Sequence, residues 1–219
     1  AAWSTRSGFL TDFSQVLPRT QSPSVTRAVT VTVTAVESKM KSLAEFRLSG
    51  VVSYETMRAV DKNADAWSSP RERMEAAGTQ LANAVRSIHP NSVLFLCGSG
   101  NNGGDGYVAA RHLGEETEVT VVSLGAKTPE AASAFNALQA SPVSIFEVRT
   151  ADDFPPFEAD VIVDCLLGTG AKPPLRPLYA EAVRLLNAAD ARVIACDVPT
   201  PGARSDIVCA FHLAKSDGA

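Results

Sequence analysis

Six short apolar runs punctuate the chain from residue 92 onward: SVLFLC, EVTVVSL, VSIFEV, DVIVDCLL, RVIACDV and DIVCAFH. Most are apolar at consecutive rather than alternating positions, the pattern of strands that helices cover on both faces. Segments with helical spacing lie between most of them, at residues 105–113, 129–139 and 178–189. Alternation of this kind predicts an α/β fold around a mostly parallel sheet with right-handed crossovers. Two helices are expected ahead of that sheet. VSYETMRAVDKNADAW sets Tyr54, Met57, Val60, Ala64 and Trp67 at helical spacing, and SPRERMEAAGTQLANAVRSI opens with Ser69 as N-cap and Pro70 at the first helical position.

Residues 1–50 break this pattern. They are rich in Ser, Thr and Ala and carry Arg6, Arg19 and Arg27, with Asp12 as the one acid before Glu37. Arg- and Ser-rich, acid-poor segments occur in organelle transit peptides. SVTRAVTVTVTAV alternates like a strand, and an extension preceding a start near Met40 is a third reading. The domain expectation is therefore an extension over residues 1–50, transit-like or disordered, and a folded domain over 51–219. The compartment is cytoplasmic, or an organelle if the extension is a transit segment.

Composition narrows the function classes. A chain of 219 residues, 45% hydrophobic and 20% charged, reads as one soluble globular domain with or without an extension. A formal charge of -4 without a cluster of Lys and Arg argues against a nucleic-acid partner. No apolar stretch approaches the roughly 20 residues that cross a bilayer, which argues against a membrane partner. Cys97, Cys165, Cys196 and Cys209 sit in or beside apolar runs, with neither CxxC pairing nor zinc spacing. They read as buried, reduced thiols.

In open parallel sheets, ligands bind beyond the carboxyl ends of the strands where strand order reverses. That rule selects GSGNNGGDG after VLFLC, GTGAK after DVIVDCLL and DVPT after RVIAC. Glycines in the first allow positive φ and close backbone approach, so that backbone N–H groups and a helix N-terminus can meet phosphate. The segment lacks the GK[ST] of a Walker loop. GSGNNG alone is weak, because such a pattern is often only a turn; Asn101, Asn102 and Asp105 are what a turn does not need.

GSGNNGGDGYVAARHL, VDCLLGTGAK and ACDVP, with SYETMRAVDKNA and MEAAG upstream, resemble the YjeF N-terminal-domain family, the NAD(P)H-hydrate epimerases, over roughly residues 51–215. The resemblance implies a Rossmann-like three-layer α/β/α sandwich and an isomerase that interconverts the R and S forms of hydrated NADH or NADPH for a separate dehydratase. It further implies a substrate site of Asn101, Asn102, Gly103, Gly104 and Asp105, of Gly168, Thr169, Gly170, Ala171, Lys172, Pro173 and Pro174, and of Asp197. One potassium ion per subunit would be held by Asn102, Asp164 and Thr200, and relatives pair as homodimers through the region of residues 52–87. Where the family reads GTGLKGPVR and DIPSGLDADTG, this chain reads GTGAKPPLR and DVPTPGARSD. The shorter loop after Pro199 keeps a second reading open, a non-catalytic nucleotide-binding or protein-interaction scaffold of the same fold.

Epimer exchange at C6 of the ring needs a proton donor and an acceptor, and Asp164 and Lys172 are the candidates. Replacing Gly103 by valine is expected to abolish dinucleotide binding with the fold intact. His89 and His112 read as structural, while His212 stays open.

Overall fold

A computed structural model describes residues 27–31, 51–53, 68–211 and 214–216. In chain order they form β1 (Arg27–Val31), β2 (Val51–Ser53), α1 (Pro70–Arg86), β3 (Ser92–Cys97), α2 (Asn101–Leu113), β4 (Glu118–Ser123) and α3 (Pro129–Leu138). These are followed by β5 (Ser144–Glu147), a 3-10 turn at Ala151–Asp153, β6 (Val161–Cys165), α4 (Pro177–Ala188), β7 (Arg192–Cys196), β8 (Ile207–Phe211) and β9 (Ala214–Ser216). Seven strands make one sheet in the order β1-β8-β7-β6-β3-β4-β5, while β2 and β9 pair separately. Every pairing is parallel. The chain steps outward from β3 through β4 to β5, then returns to β6 and runs the other way. Strand order thus reverses between β3 and β6, which creates the crevice expected of such a sheet.

Strand alternation builds both layers. Val93, Phe95 and Cys97 of β3 join Leu81, Tyr107 and Leu138 in a core under α1, α2 and α3. Leu94 and Leu96 join Tyr179 and Leu186 of α4 on the opposite face. The result is the three-layer sandwich expected from the sequence. Helix α1 starts as its cap residues dictate: Ser69 Oγ accepts from the Glu72 N–H, and the Glu72 carboxylate accepts from the Ser69 N–H at 2.8 Å. The helix expected over residues 54–67 lies outside the described residues, and residues 51–53 are strand rather than helix. The backbone of residues 27–31 pairs with β8, so these five residues, inside the segment read as an extension, form an edge strand.

Helix α2 corrects the reading of the glycine segment. Its first turn is Asn101–Gly104, four residues ahead of the expected start at Asp105, and the described glycines with positive φ are Gly125 and Gly202 alone. Of the two properties read from these glycines, close approach is the one the fold uses. A Cβ on Gly103 would overlap the Gly98 carbonyl oxygen, and one on Gly106 would lie 2.7 Å from Cys97 Sγ. Packing of helix against sheet thus overrides the poor helix propensity of glycine.

The four cysteines are buried and free. Cys97 is in register with Cys165, and Cys196 with Cys209. Because Asp164 pairs with Ala195, Cys165 adjoins Cys196, and the four thiols form a row across β3, β6, β7 and β8 within the core under α2.

The contact at Gly103 changes what its substitution does. Gly103→Ala should destabilise the domain by about 2–3 kcal/mol, as overpacking does, lowering the melting temperature by roughly 4–10 °C. Gly170, whose Cβ would meet nothing within 4 Å, should accept alanine with little change. Thermal unfolding followed by circular dichroism checks both, and an unshifted Gly103→Ala melt would contradict the contact. Ser69→Ala, which removes the side-chain half of the cap on α1 and keeps the bond from the backbone N–H to Glu72, should cost about 1 kcal/mol in the same assay.

Candidate functional site at the strand-order reversal

Two turns face each other across the crevice. The Gly98 N–H donates to the Cys165 carbonyl at 3.0 Å, and a Cβ on Gly98 would overlap the Leu166 carbonyl. The turn after β3 and the turn after β6 therefore touch through bare backbone. Beneath them lies Asp164, fully buried near the end of β6. Its Oδ1 accepts from the Leu166 N–H at 3.1 Å and the Thr200 hydroxyl at 2.8 Å, while Oδ2 accepts from the Thr200 N–H at 2.8 Å. Thr200 Oγ in turn accepts from the Leu167 N–H at 3.2 Å. Burial pushes the Asp164 carboxyl up, against hydrogen bonds from Thr200 and Leu166 that favour its charge. One carboxylate thus ties together the strand ends of β6 and β7.

Asn102 completes this cluster from the first turn of α2. A Cβ on Gly168 would lie 3.8 Å from Asn102 Cβ, so the segment 166–168 touches Asp164, Thr200 and Asn102 in succession. Asn102 Nδ2 is buried with no hydrogen-bond partner. A buried donor left unsatisfied is costly, and turning the amide over would put an acceptor oxygen in its place.

Asp197 follows β7 with φ 65°, an uncommon backbone for a non-glycine residue. The Val198 N–H donates to the Cys196 carbonyl at 2.8 Å, which closes a tight γ-turn around it. The Phe211 N–H reaches Asp197 Oδ1 at 3.3 Å, and the side chain stays half-buried. Asp105 lies within electrostatic reach of the same place. Burial, then Cys196, then the charges of Asp197 and Asp105 all push the Cys209 thiol up.

The remaining expected residues divide by exposure. Gly103 and Gly104 are buried in helix packing, and Asn101 Oδ1 accepts from the Thr128 hydroxyl at 2.5 Å, tying α2 to the start of α3. Gly168, Thr169 and Ala171 are half-buried at the rim, where the Ala171 N–H donates to the Gly168 carbonyl at 3.0 Å. Gly170, Lys172, Pro173 and Pro174 are exposed. Lys172 is thus exposed to solvent while Asp164 is fully buried. His112 Nε2 sits 2.9 Å from Glu75 Oε1 and joins α2 to α1, away from the crevice; His89 has φ 49° before Pro90, and His212 lies outside the described residues.

Sequence reasoning passed over Ser99 and Tyr179. The Tyr179 hydroxyl accepts from the Ser99 N–H at 3.1 Å, fixing the glycine turn from the α4 side. These residues are 80 positions apart, so no local pattern joins them.

The family described as YjeF-related protein N-terminus matches residues 70–206. The bifunctional NAD(P)H-hydrate repair enzyme Nnr of Methanospirillum hungatei is 42% identical over 184 residues, which cover 80% of this chain and 38% of that protein. The NAD(P)H-hydrate epimerase of Rhodopirellula baltica is 44% identical over 133 residues, covering 58% of this chain and 54% of that one. The match spans between 32% and 60% of the length of these and other curated relatives. The crystal structure of yeast ynu0 superposes with a TM-score of 0.61 at 28% identity, over 69% of this chain and 71% of that one. With the crevice, its two touching turns and these matches together, the chain belongs to the YjeF-related protein N-terminus family.

Proposed function

We propose that this chain is an epimerase acting on the hydrates of NADH and NADPH, with the crevice between β3 and β6 as its site. The observation that carries the reading is the convergence of Asn102, Asp164 and Thr200 on the segment 166–168, in a chain whose Rhodopirellula relative is named an NAD(P)H-hydrate epimerase.

Inversion at C6 follows if the C6 hydroxyl leaves as water, the N1 lone pair forming a C6=N1 iminium, and water then adds to the other face. One proton enters with the leaving hydroxyl and one departs with the incoming water, so the reaction balances without a redox step. Lys172, exposed to solvent, supplies the first proton, and Asp197, half-buried in its strained turn, takes the second. Negative charge at Asp197 and Asp105 stabilises the iminium between. Asp164 is an anchor rather than the proton carrier, because it is fully buried and held by hydrogen bonds from Leu166 and Thr200.

The same cluster fits a potassium ion. A hard monovalent cation takes oxygen ligands, and the site offers an Asp164 carboxylate, a Thr200 hydroxyl and, with its amide turned over, the Asn102 carbonyl oxygen that the orphaned Nδ2 leaves room for. Bound there, the ion would supply fixed positive charge that holds Asp164 ionised. Among the described residues no helix is long and apolar enough to cross a membrane. The bifunctional names of several relatives support a separate dehydratase as the partner. Pairing of two copies through residues 52–87 is part of the same proposal.

Mixing the purified protein with either hydrate and following epimer exchange by chromatography tests the activity directly; no exchange would turn the balance to a scaffold. Asp197→Asn should slow exchange at least about 10²-fold while the melting temperature holds within a few degrees. Equal exchange by that variant removes Asp197 from the mechanism. Potassium has its own readout, since a ligand bound only by the folded state raises the melting temperature. The wild type should melt higher in KCl than in NaCl at equal ionic strength, and Asn102→Leu should erase the difference.

A further inference from the structure

A second cleft of about 420 Å³ opens beside the glycine turn, at the carboxyl ends of β4 and β5. Lys127, Arg149 and Arg176 line it together with Ser99, Leu178 and Tyr179, and no carboxylate does. The Lys127 N–H donates to the Ser99 carbonyl at 2.8 Å, which places the cleft one residue from Gly98. Arg176 is held in place by stacking over the Tyr179 ring, 4.6 Å from its centroid. It also occupies the N-cap of α4, a helix of 12 residues that has no side-chain cap, so the positive end of that helix adds to the three cations. The crevice already described uses none of the three cations and shares only the Ser99–Tyr179 contact with this cleft.

Position gives the cluster a meaning. In dinucleotide-binding α/β folds, the end of the strand after the glycine helix meets the adenosine ribose: an acid there takes the 2′-hydroxyl, and a cation accommodates a 2′-phosphate. That strand here is β4, followed by Leu124, Gly125, Ala126 and Lys127, with no acid. We propose that this cleft is a phosphate-monoester subsite in which Lys127, Arg149 and Arg176 hold the ribose 2′-phosphate, so that the chain takes the hydrate of NADPH in preference to that of NADH. The inference rests on the dinucleotide reading of the crevice. Lys127 and Arg176 meet no carboxylate in the lining, and Arg149 meets Glu147 at 4.0 Å through a largely exposed side chain; a dianion between the three makes charge-assisted hydrogen bonds.

Calorimetry with 2′,5′-ADP, 5′-AMP and inorganic phosphate tests it apart from turnover. The wild type should bind 2′,5′-ADP at least about tenfold more tightly than 5′-AMP, with the gap narrowing as salt rises. Lys127→Ala and Arg176→Ala should each weaken 2′,5′-ADP about tenfold, the scale of one charge-assisted hydrogen bond, and leave 5′-AMP within twofold. Because Arg176 also packs on Tyr179, Lys127→Ala is the decisive variant and thermal melts control for folding. Equal affinity for the two nucleotides, parallel loss of both in Lys127→Ala, or inorganic phosphate binding as tightly as 2′,5′-ADP would each overturn the subsite. Discrimination without epimer exchange would keep the subsite and refute the activity. Exchange of both hydrates at one KM would do the reverse, and binding of neither nucleotide would refute both.

Discussion

The close passage of the Gly98 backbone between the Leu166 carbonyl on one side and Gly103 on the other determines the rest of the crevice. Each contact is main chain against main chain, with no side chain that can rotate away. Because Gly103 sits in the first turn of α2, the helix is drawn down onto the strand ends instead of standing one side chain away. The Asn102 amide therefore arrives beside Gly168, and the α2 N-terminus opens directly into the space above β3 and β6. A longer side chain at either glycine would lift the helix and separate the residues that the site depends on.

Below that contact, Asp164 solves a different problem. Parallel strands end with backbone N–H groups that have no further strand to meet, and the chain must turn there without burying unsatisfied donors. One carboxylate accepts from Leu166 and twice from Thr200, so the turns after β6 and β7 are satisfied by a single group. Its burial costs solvation, which shows in the raised carboxyl. Removing the carboxylate would leave three donors buried, so stability and site geometry are coupled at this residue.

The strands were legible because continuous apolar runs have few other uses, and observed bounds such as Ser92–Cys97 and Arg192–Cys196 follow those runs closely. Ser69 and Pro70 marked the start of α1 for a similar reason, since the cap is local chemistry. The start of α2 was misplaced because glycine and asparagine argue locally for a turn, whereas the contact that makes them helical comes from Gly98 and the neighbouring strands. At the site, Asn102, Asp164 and Thr200 were legible together through the family resemblance, and the segment 166–168 touches all three. What escaped was burial: sequence alone does not distinguish a carboxylate under the crevice from one facing it, nor bring Lys127, Arg149 and Arg176 to one cleft from three separate segments.

The row of four thiols gives the central sheet a chemical signature of its own. Cys97, Cys165, Cys196 and Cys209 belong to four adjacent strands and are covered by α2, with Gly106 pressed against two of them. Burial drives the Cys165 and Cys196 thiols well above their ordinary range, so in the closed sheet they are neither reachable nor nucleophilic. A thiol reagent reacts only as the helix layer lifts from the strands. The rate at which it consumes each cysteine therefore measures, strand by strand, how often the middle of this domain opens to water.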